Sequence, residues 1–214
     1  RTPHLQCCLA IDSRDMTPRQ GRGKRRSVSR EEILEVAKQH AIAHGWRHAR
    51  IQETAADARV SRPTLYKEFA SKSELGSALL LHEVAKFLRE LSAAIDTSRG
   101  GIREAIAVGC LHALTEADRG PFLAAVLTED RSAEDSLLPR LTSGGANSVL
   151  PLATAVVQSA LESRAPEGVD RGRLAFISNA AVRLTVSELV EPSPESRADI
   201  AARIAQLCSA YLTD

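Results

Sequence analysis

With 214 residues the chain can bury one large core or two modest ones, and its 43% apolar and 26% charged residues, few of them aromatic, favour an all-helical soluble protein over a β-sandwich or a disordered chain. No apolar run reaches the roughly 20 residues that cross a bilayer, so a membrane partner is not expected. The net charge of +1 hides an asymmetry: residues 17–72 carry 13 Lys+Arg against 6 Asp+Glu, or +7, whereas residues 73–214 carry 13 against 19, or −6. A basic head on an acidic body suits a molecule that presents one end to a polyanion.

Residues 1–28 hold little to bury, and Arg19 to Arg26 read as a flexible basic N-terminal arm. It can follow a minor groove or gather phosphates, or act only as a solubilising tail. Met16 is the single methionine, so residues 1–15 can be an upstream extension. Ser29-Arg30-Glu31-Glu32 is a capping box that starts a helix with Ile33, Leu34, Ala37 and Ala41 inward, ending near Gly45. Trp46 is expected to close a small three-helix core that leans on the next helix. His40 and His44 stand four apart with His48 beyond, but no Cys or carboxylate completes a set, so no metal is expected.

From Ile51 to Phe69 the pattern is two short helices joined by a tight turn. Ser61 caps the second helix, and Pro63 lies in its first turn, where a missing N–H is harmless. Ala55 permits close approach, and Val60 and Leu65 supply apolar contacts. Leu65 and Phe69 go to the core, which leaves Arg62, Thr64, Tyr66 and Lys67 outward, a set suited to phosphates and base edges; Tyr66 could instead be a core aromatic. Arg62 is the candidate for a guanine edge and Thr64 for a thymine methyl or phosphate, while Ser61, Tyr66, Lys67 and Lys72 position the backbone. The stretch is a helix-turn-helix that reads DNA.

Ala58 to Phe69, followed by Ser71-Lys72-Ser73-Glu74-Leu75 and preceded by Gly45-Trp46, resembles the DNA-binding segment of the TetR-type one-component transcriptional repressors. The match spans roughly forty positions at fixed offsets; beyond about Leu80 only the helical plan is shared. Three residues depart from the family pattern. Arg59 stands where a turn glycine is usual and must tolerate a positive φ or adjust the turn. Arg50 replaces a capping Thr that also contacts phosphate, and Thr54 occupies an aliphatic position.

Ser71-Lys72-Ser73-Glu74 reads as a second capping box, starting a long helix to about Ile95 with Leu75, Leu79, Leu80, Val84, Phe87, Leu88 and Leu91 as its stripe. Lys72 at its positive end suits a phosphate. Helical periodicity returns over residues 102–116, 121–129 and about 146–163, with an irregular piece near 132–141, and no strand alternation appears. The body is therefore expected to be an antiparallel helical bundle. Two last helices, about 170–189 and 195–212, carry wide apolar stripes, so one side can face the body and the other a second subunit in a homodimer; they could also simply finish a monomeric core.

The domains expected are an arm over 1–28, a DNA-binding head over 29–72 and an effector-binding and dimerisation body over 73–214. A twofold dimer calls for a roughly palindromic operator. The family resemblance implies a small-molecule effector held in the body, with the helix from Ser71 as lever; the residues expected to line a pocket for an apolar effector are Cys110, Leu114, Phe122, Val126 and Phe176, each of which can instead be ordinary core packing. Cys7, Cys8, Cys110 and Cys208 show no metal-type or disulfide-framework spacing, which fits a reduced cytoplasm. With no Glu-x-x-His pair, Gly-x-Ser-x-Gly elbow or P-loop, neither an enzyme nor a cofactor is expected. A helical adaptor that has lost operator binding is the alternative, with Arg59 and Thr54 as its hints.

Overall fold

Serine and aspartate side chains open helices along the chain by holding amides that have no partner within the helix. The structure is a computed structural model that describes residues 28–127, Leu137 and residues 149–212. Ser29 Oγ accepts from Glu32 N at 3.1 Å and Glu32 Oε2 accepts from Ser29 N at 2.7 Å, the reciprocal box expected there. Helix α1, Arg30–His44, buries Ile33, Leu34, Ala37 and Ala41. It stops at Gly45, whose φ of +76° disfavours any side chain, and a 3-10 turn, Trp46–His48, then swings Trp46 into the core.

Helices α2, Ile51–Asp57, and α3, Arg62–Glu68, follow with the expected tight turn between them. Arg59 N donates to Ala56 O and Val60 N to Ala55 O, both at 3.0 Å, which is the Schellman pair of bonds. That motif requires a left-handed residue, and Arg59 supplies it at φ +56°, the one non-glycine positive φ among the described residues. The turn is unadjusted and Arg59 tolerates it. Thr54 is buried at 1% exposure, yet its hydroxyl donates to Arg50 O at 3.2 Å, so no polar group is stranded in this aliphatic position.

Helix α4, Lys72–Thr97, opens less symmetrically than expected. Ser71 Oγ accepts from Glu74 N, but the Glu74 carboxylate reaches back to Ala70 N at 2.8 Å instead of closing on Ser71. Its stripe is buried as expected, apart from a partly covered Phe87. Gly76 lets α4 lie against Trp46: a Cβ there would come within 2.7 Å of Trp46 Cζ2. Head and body therefore share one apolar cluster that runs from Ile33 to Cys208.

The body continues with α5, Ile102–Arg119; α6, Pro121–Leu127; α7, Val149–Glu162; α8, Arg171–Val190; and α9, Arg197–Ala210. Phe87 stacks on His112 while Ile95 lies over Gly109, so α4 and α5 run antiparallel. Arg173 and Phe176 meet Tyr211, so α8 and α9 do too. The all-α bundle is confirmed, and no strand occurs among the described residues. The basic arm and most of the irregular piece near 132–141 lie outside them.

Side-chain ties hold the bundle's ends. Arg197 grips Asp118 as a fork, Nη2 to Oδ1 at 2.7 Å and Nε to Oδ2 at 2.9 Å, and this guanidinium holds the Asp118 carboxyl below the usual carboxylate range. Arg164, just past α7, donates to Ile95 O at 2.9 Å near the end of α4.

Candidate nucleic-acid interface and ligand cavity

Seven residues of α3 are too few for a stable isolated helix, so its orientation comes from what it buries. Leu65 and Phe69, both at 0% exposure, point into the core. Rotation by about 100° per residue then places Ser61, Arg62, Pro63, Thr64, Tyr66 and Lys67 in solvent. Tyr66 is 46% exposed, which excludes a core role. Arg30 braces the far end of α3 from α1, stacking 4.2 Å over the Phe69 ring and donating to Glu68 O at 3.1 Å. His40 Nε2 contacts Asp57 Oδ2 at 2.8 Å and ties α1 to α2.

The expected DNA contacts divide by how free their polar atoms are. Arg62 and Lys67 are exposed cations, and Arg50 stands at the N-terminus of α2 with 74% side-chain exposure and a long 3.5 Å approach to Glu53. Ser61 Oγ is engaged as the α3 cap, accepting from Thr64 N at 3.2 Å and touching Thr64 Oγ1 at 2.7 Å. Lys72 differs from expectation. Its ammonium donates to Arg47 O at 2.8 Å and lies 5.7 Å from the Trp46 ring, so it braces the head, and a phosphate would be an added partner.

A cavity of about 310 Å³ opens between α4, α5, α6, α7 and α8, with α1 at its rim. Its walls are largely aliphatic, from Leu80, Val84 and Leu91 on α4 to Val182, Val186 and Leu189 on α8. Of the residues expected there, Cys110 and Phe122 line it. Leu114 and Val126 do not; at 0% and 1% exposure they are ordinary core. Phe176 is a correction in the other direction: it projects outward at 58% exposure, 4.8 Å from the Tyr211 ring. On α8 it falls opposite the buried stripe of Leu174, Ile177 and Ala181, a distinction hidden from sequence reading because apolar residues occur all round this helix among its polar ones.

Burial pushes the Cys110 thiol up to about 11, opposed by Thr185 Oγ1 at 3.2 Å, so this sulfur is a poor nucleophile. Charges enter the lining through Lys38, Glu83, Lys86, Glu90 and Glu116. None was anticipated. Lys38 follows the buried Ala37 and looks in sequence like a solvated helix face; only the packing of α1 on α4 carries it over the cavity.

Among the described residues no helix is long and apolar enough to cross a membrane, and no cluster of His, Cys, Asp and Glu could hold a metal ion. Residues 33–79 match the family model described as bacterial regulatory proteins, tetR family, and residues 101–210 match the bacterial tetracycline repressor C-terminal domain. The HTH-type transcriptional regulator AlkX of Mycobacterium tuberculosis is 26% identical over 186 residues, covering 87% of this chain and 86% of that protein. In fold the chain resembles the TetR family repressor AlkX of Dietzia sp., implicated in biodegradation of n-alkanes, at a TM-score of 0.66 and 23% identity over 86% of this chain and 98% of that one. It also resembles FadR of Bacillus subtilis, solved with stearoyl-CoA, at 0.53 and 15% over 84% and 97%. With an exposed recognition helix at one end and matches that together span head and body, the chain belongs to the TetR family and is a DNA-binding transcriptional regulator.

Proposed function

We propose that two copies of this chain repress transcription by binding a roughly palindromic operator, and that a small apolar ligand in the cavity releases them. The observation that carries the reading is the division of α3, with Leu65 and Phe69 at 0% exposure behind Arg62, Thr64, Tyr66 and Lys67 in solvent. Arg62 reads a base edge and Thr64 a thymine methyl or phosphate, while Arg50, Ser61, Pro63, Tyr66, Lys67 and Lys72 sit along or brace the backbone contact. One such helix covers few base pairs, and a twofold pair spaced by about 34 Å covers two successive major-groove faces.

Pairing runs through α8 and α9, whose outer faces expose Phe176, Leu184, Leu207 and Tyr211 while their inner faces are buried. Monomers seldom leave such large side chains in water side by side. The head over residues 29–72 and the body from residue 73 act as separate functional units, preceded by the arm over 1–28, and the shared core around Trp46 and Gly76 transmits between them. The aliphatic walls favour an alkyl chain, in keeping with the alkane and acyl-CoA connections of the two similar regulators. Binding to chromosomal DNA places the protein in the cytoplasm. The adaptor reading loses its two motives, since Arg59 completes a Schellman turn and Thr54 is hydrogen-bonded.

Operator selection from random duplexes, followed by footprinting of wild type and Arg62→Ala, tests the proposal. The variant should lose about 1–3 kcal/mol at one position in each half-site. Sedimentation should give two chains per site. Equal losses at every position would remove Arg62 from the base contact, and a single chain on the best duplex would overturn the dimer.

A further inference from the structure

Lys38 belongs to α1 in the head, yet its side chain lines the cavity of the body. Only 16% of it is exposed, and its ammonium lies 3.2 Å from Glu83 Oε1 on α4 and 3.3 Å from Glu35 Oε2 on its own helix. Glu83, at 18% exposure, lines the same cavity. Burial lowers this lysine's affinity for its proton; the hydrogen bonds it donates to Glu83 and Glu35, with their negative charges, outweigh that and raise it. An ammonium so placed is best satisfied while a carboxylate faces it.

We infer that Lys38 reads the head group of the cavity's ligand, an alkyl carboxylate whose chain fills the aliphatic space and whose carboxylate takes the place of Glu83. The inference rests on the reading of this cavity as the effector site. The exchange conserves charge at Lys38, one carboxylate for another, so this half-buried cation keeps its pairing. Glu83 is then free to turn to Lys86, three residues along α4 and on the same rim. Glu90 and Glu116 also line the cavity and repel an anion. Glu90 is exposed and Glu116 partly so, and water weakens their effect more than that of the better-buried Lys38.

The same exchange explains how occupancy reaches the DNA. The Lys38–Glu83 bond joins α1 of the head to α4, and a ligand that captures Lys38 removes that tie. Ligand and operator thus favour different arrangements of one ion pair, which is what reciprocal coupling requires.

Calorimetry of the full chain with decanoate, decanol and decylammonium, each kept below its micellar concentration, tests the inference. Decanoate should bind about tenfold more tightly than decanol, as a charge-assisted bond is stronger than a neutral one. Lys38→Met should bring decanoate down to the level of decanol and leave decanol unchanged. Glu83→Gln, which removes the competing charge, should tighten decanoate several-fold, and it stands as the test should Lys38→Met fail to fold. Equal binding of decanoate and decanol by wild type, or looser decanoate binding by Glu83→Gln, would overturn the role of Lys38. Preferential decylammonium binding would also overturn it and assign the rim to a cation through its glutamates. If none of the three binds, nor their longer homologues, the cavity is not an alkyl-ligand site and the underlying reading fails with it.

Discussion

Arg59 holds a backbone conformation that its side chain opposes, so replacing it by glycine should stabilise the head. At φ +56° a residue with a Cβ is penalised by about 1–2 kcal/mol through contact with the following carbonyl. Glycine escapes that cost but gives the unfolded chain more freedom, which takes back about 0.5–1 kcal/mol. The difference leaves Arg59→Gly more stable by about 0.5 kcal/mol, with both Schellman bonds retained. Arg59→Ala keeps the Cβ and removes only an exposed side chain, so it should stay within about 0.5 kcal/mol of wild type. Arg59→Val adds a β-branch where even an unbranched chain is strained, and should lose about 1 kcal/mol. Urea denaturation of the four proteins, compared at equal slope, measures the series. An order with valine above glycine would refute the strain argument. It would mean that a Cβ, even a branched one, carries no penalty at this position of the turn.

Gly76→Ala should drive its new methyl into Trp46 Cζ2 at 2.7 Å and cost about 1–3 kcal/mol by overpacking. Because Trp46 is the only tryptophan, its emission should shift as it is displaced, and unchanged emission with unchanged stability would remove the close approach. Cys110 makes stability depend on alkaline pH. Its folded thiol holds its proton to about 11 against an ordinary 9.0, because burial penalises the thiolate. The unfolded chain therefore releases that proton first. The contribution is complete below about pH 9 and fades as pH rises through the folded value, by about 3 kcal/mol in all. Urea denaturation at about pH 8 and about pH 10.5 should show wild type losing about 2 kcal/mol more than Cys110→Ala. Parallel losses would show that the thiol is already ionised in the native state.

The helix-turn-helix was legible because its signals are local. Ser29 and Ser61 cap helices within three residues of themselves, Gly45 ends one, and the spacing of Leu65 from Phe69 fixes which side of α3 is buried. Even Arg59 could be located from its offset, since a Schellman turn needs its left-handed residue at a set distance from the helix end. The cavity was less legible. Cys110 and Phe122 line it, whereas Leu114 and Val126 are core and Phe176 is on the outside. All five are apolar residues on helices, and hydrophobicity alone does not say which neighbour each one meets.

The chain by itself determined a helical protein with a cationic head, the limits of most of its helices, and the outward residues of its recognition helix. These depend on periodicity, caps and side-chain volume over a few residues. Tertiary structure alone decided where empty space remains and which charges border it. Lys38 reaches the cavity because α1 packs on α4 forty-odd residues away in sequence, and Lys72 turns back to Arg47 because the 3-10 turn offers a carbonyl there. A void is what packing leaves unfilled between helices, and its boundary comes from distant segments whose meeting no local pattern records.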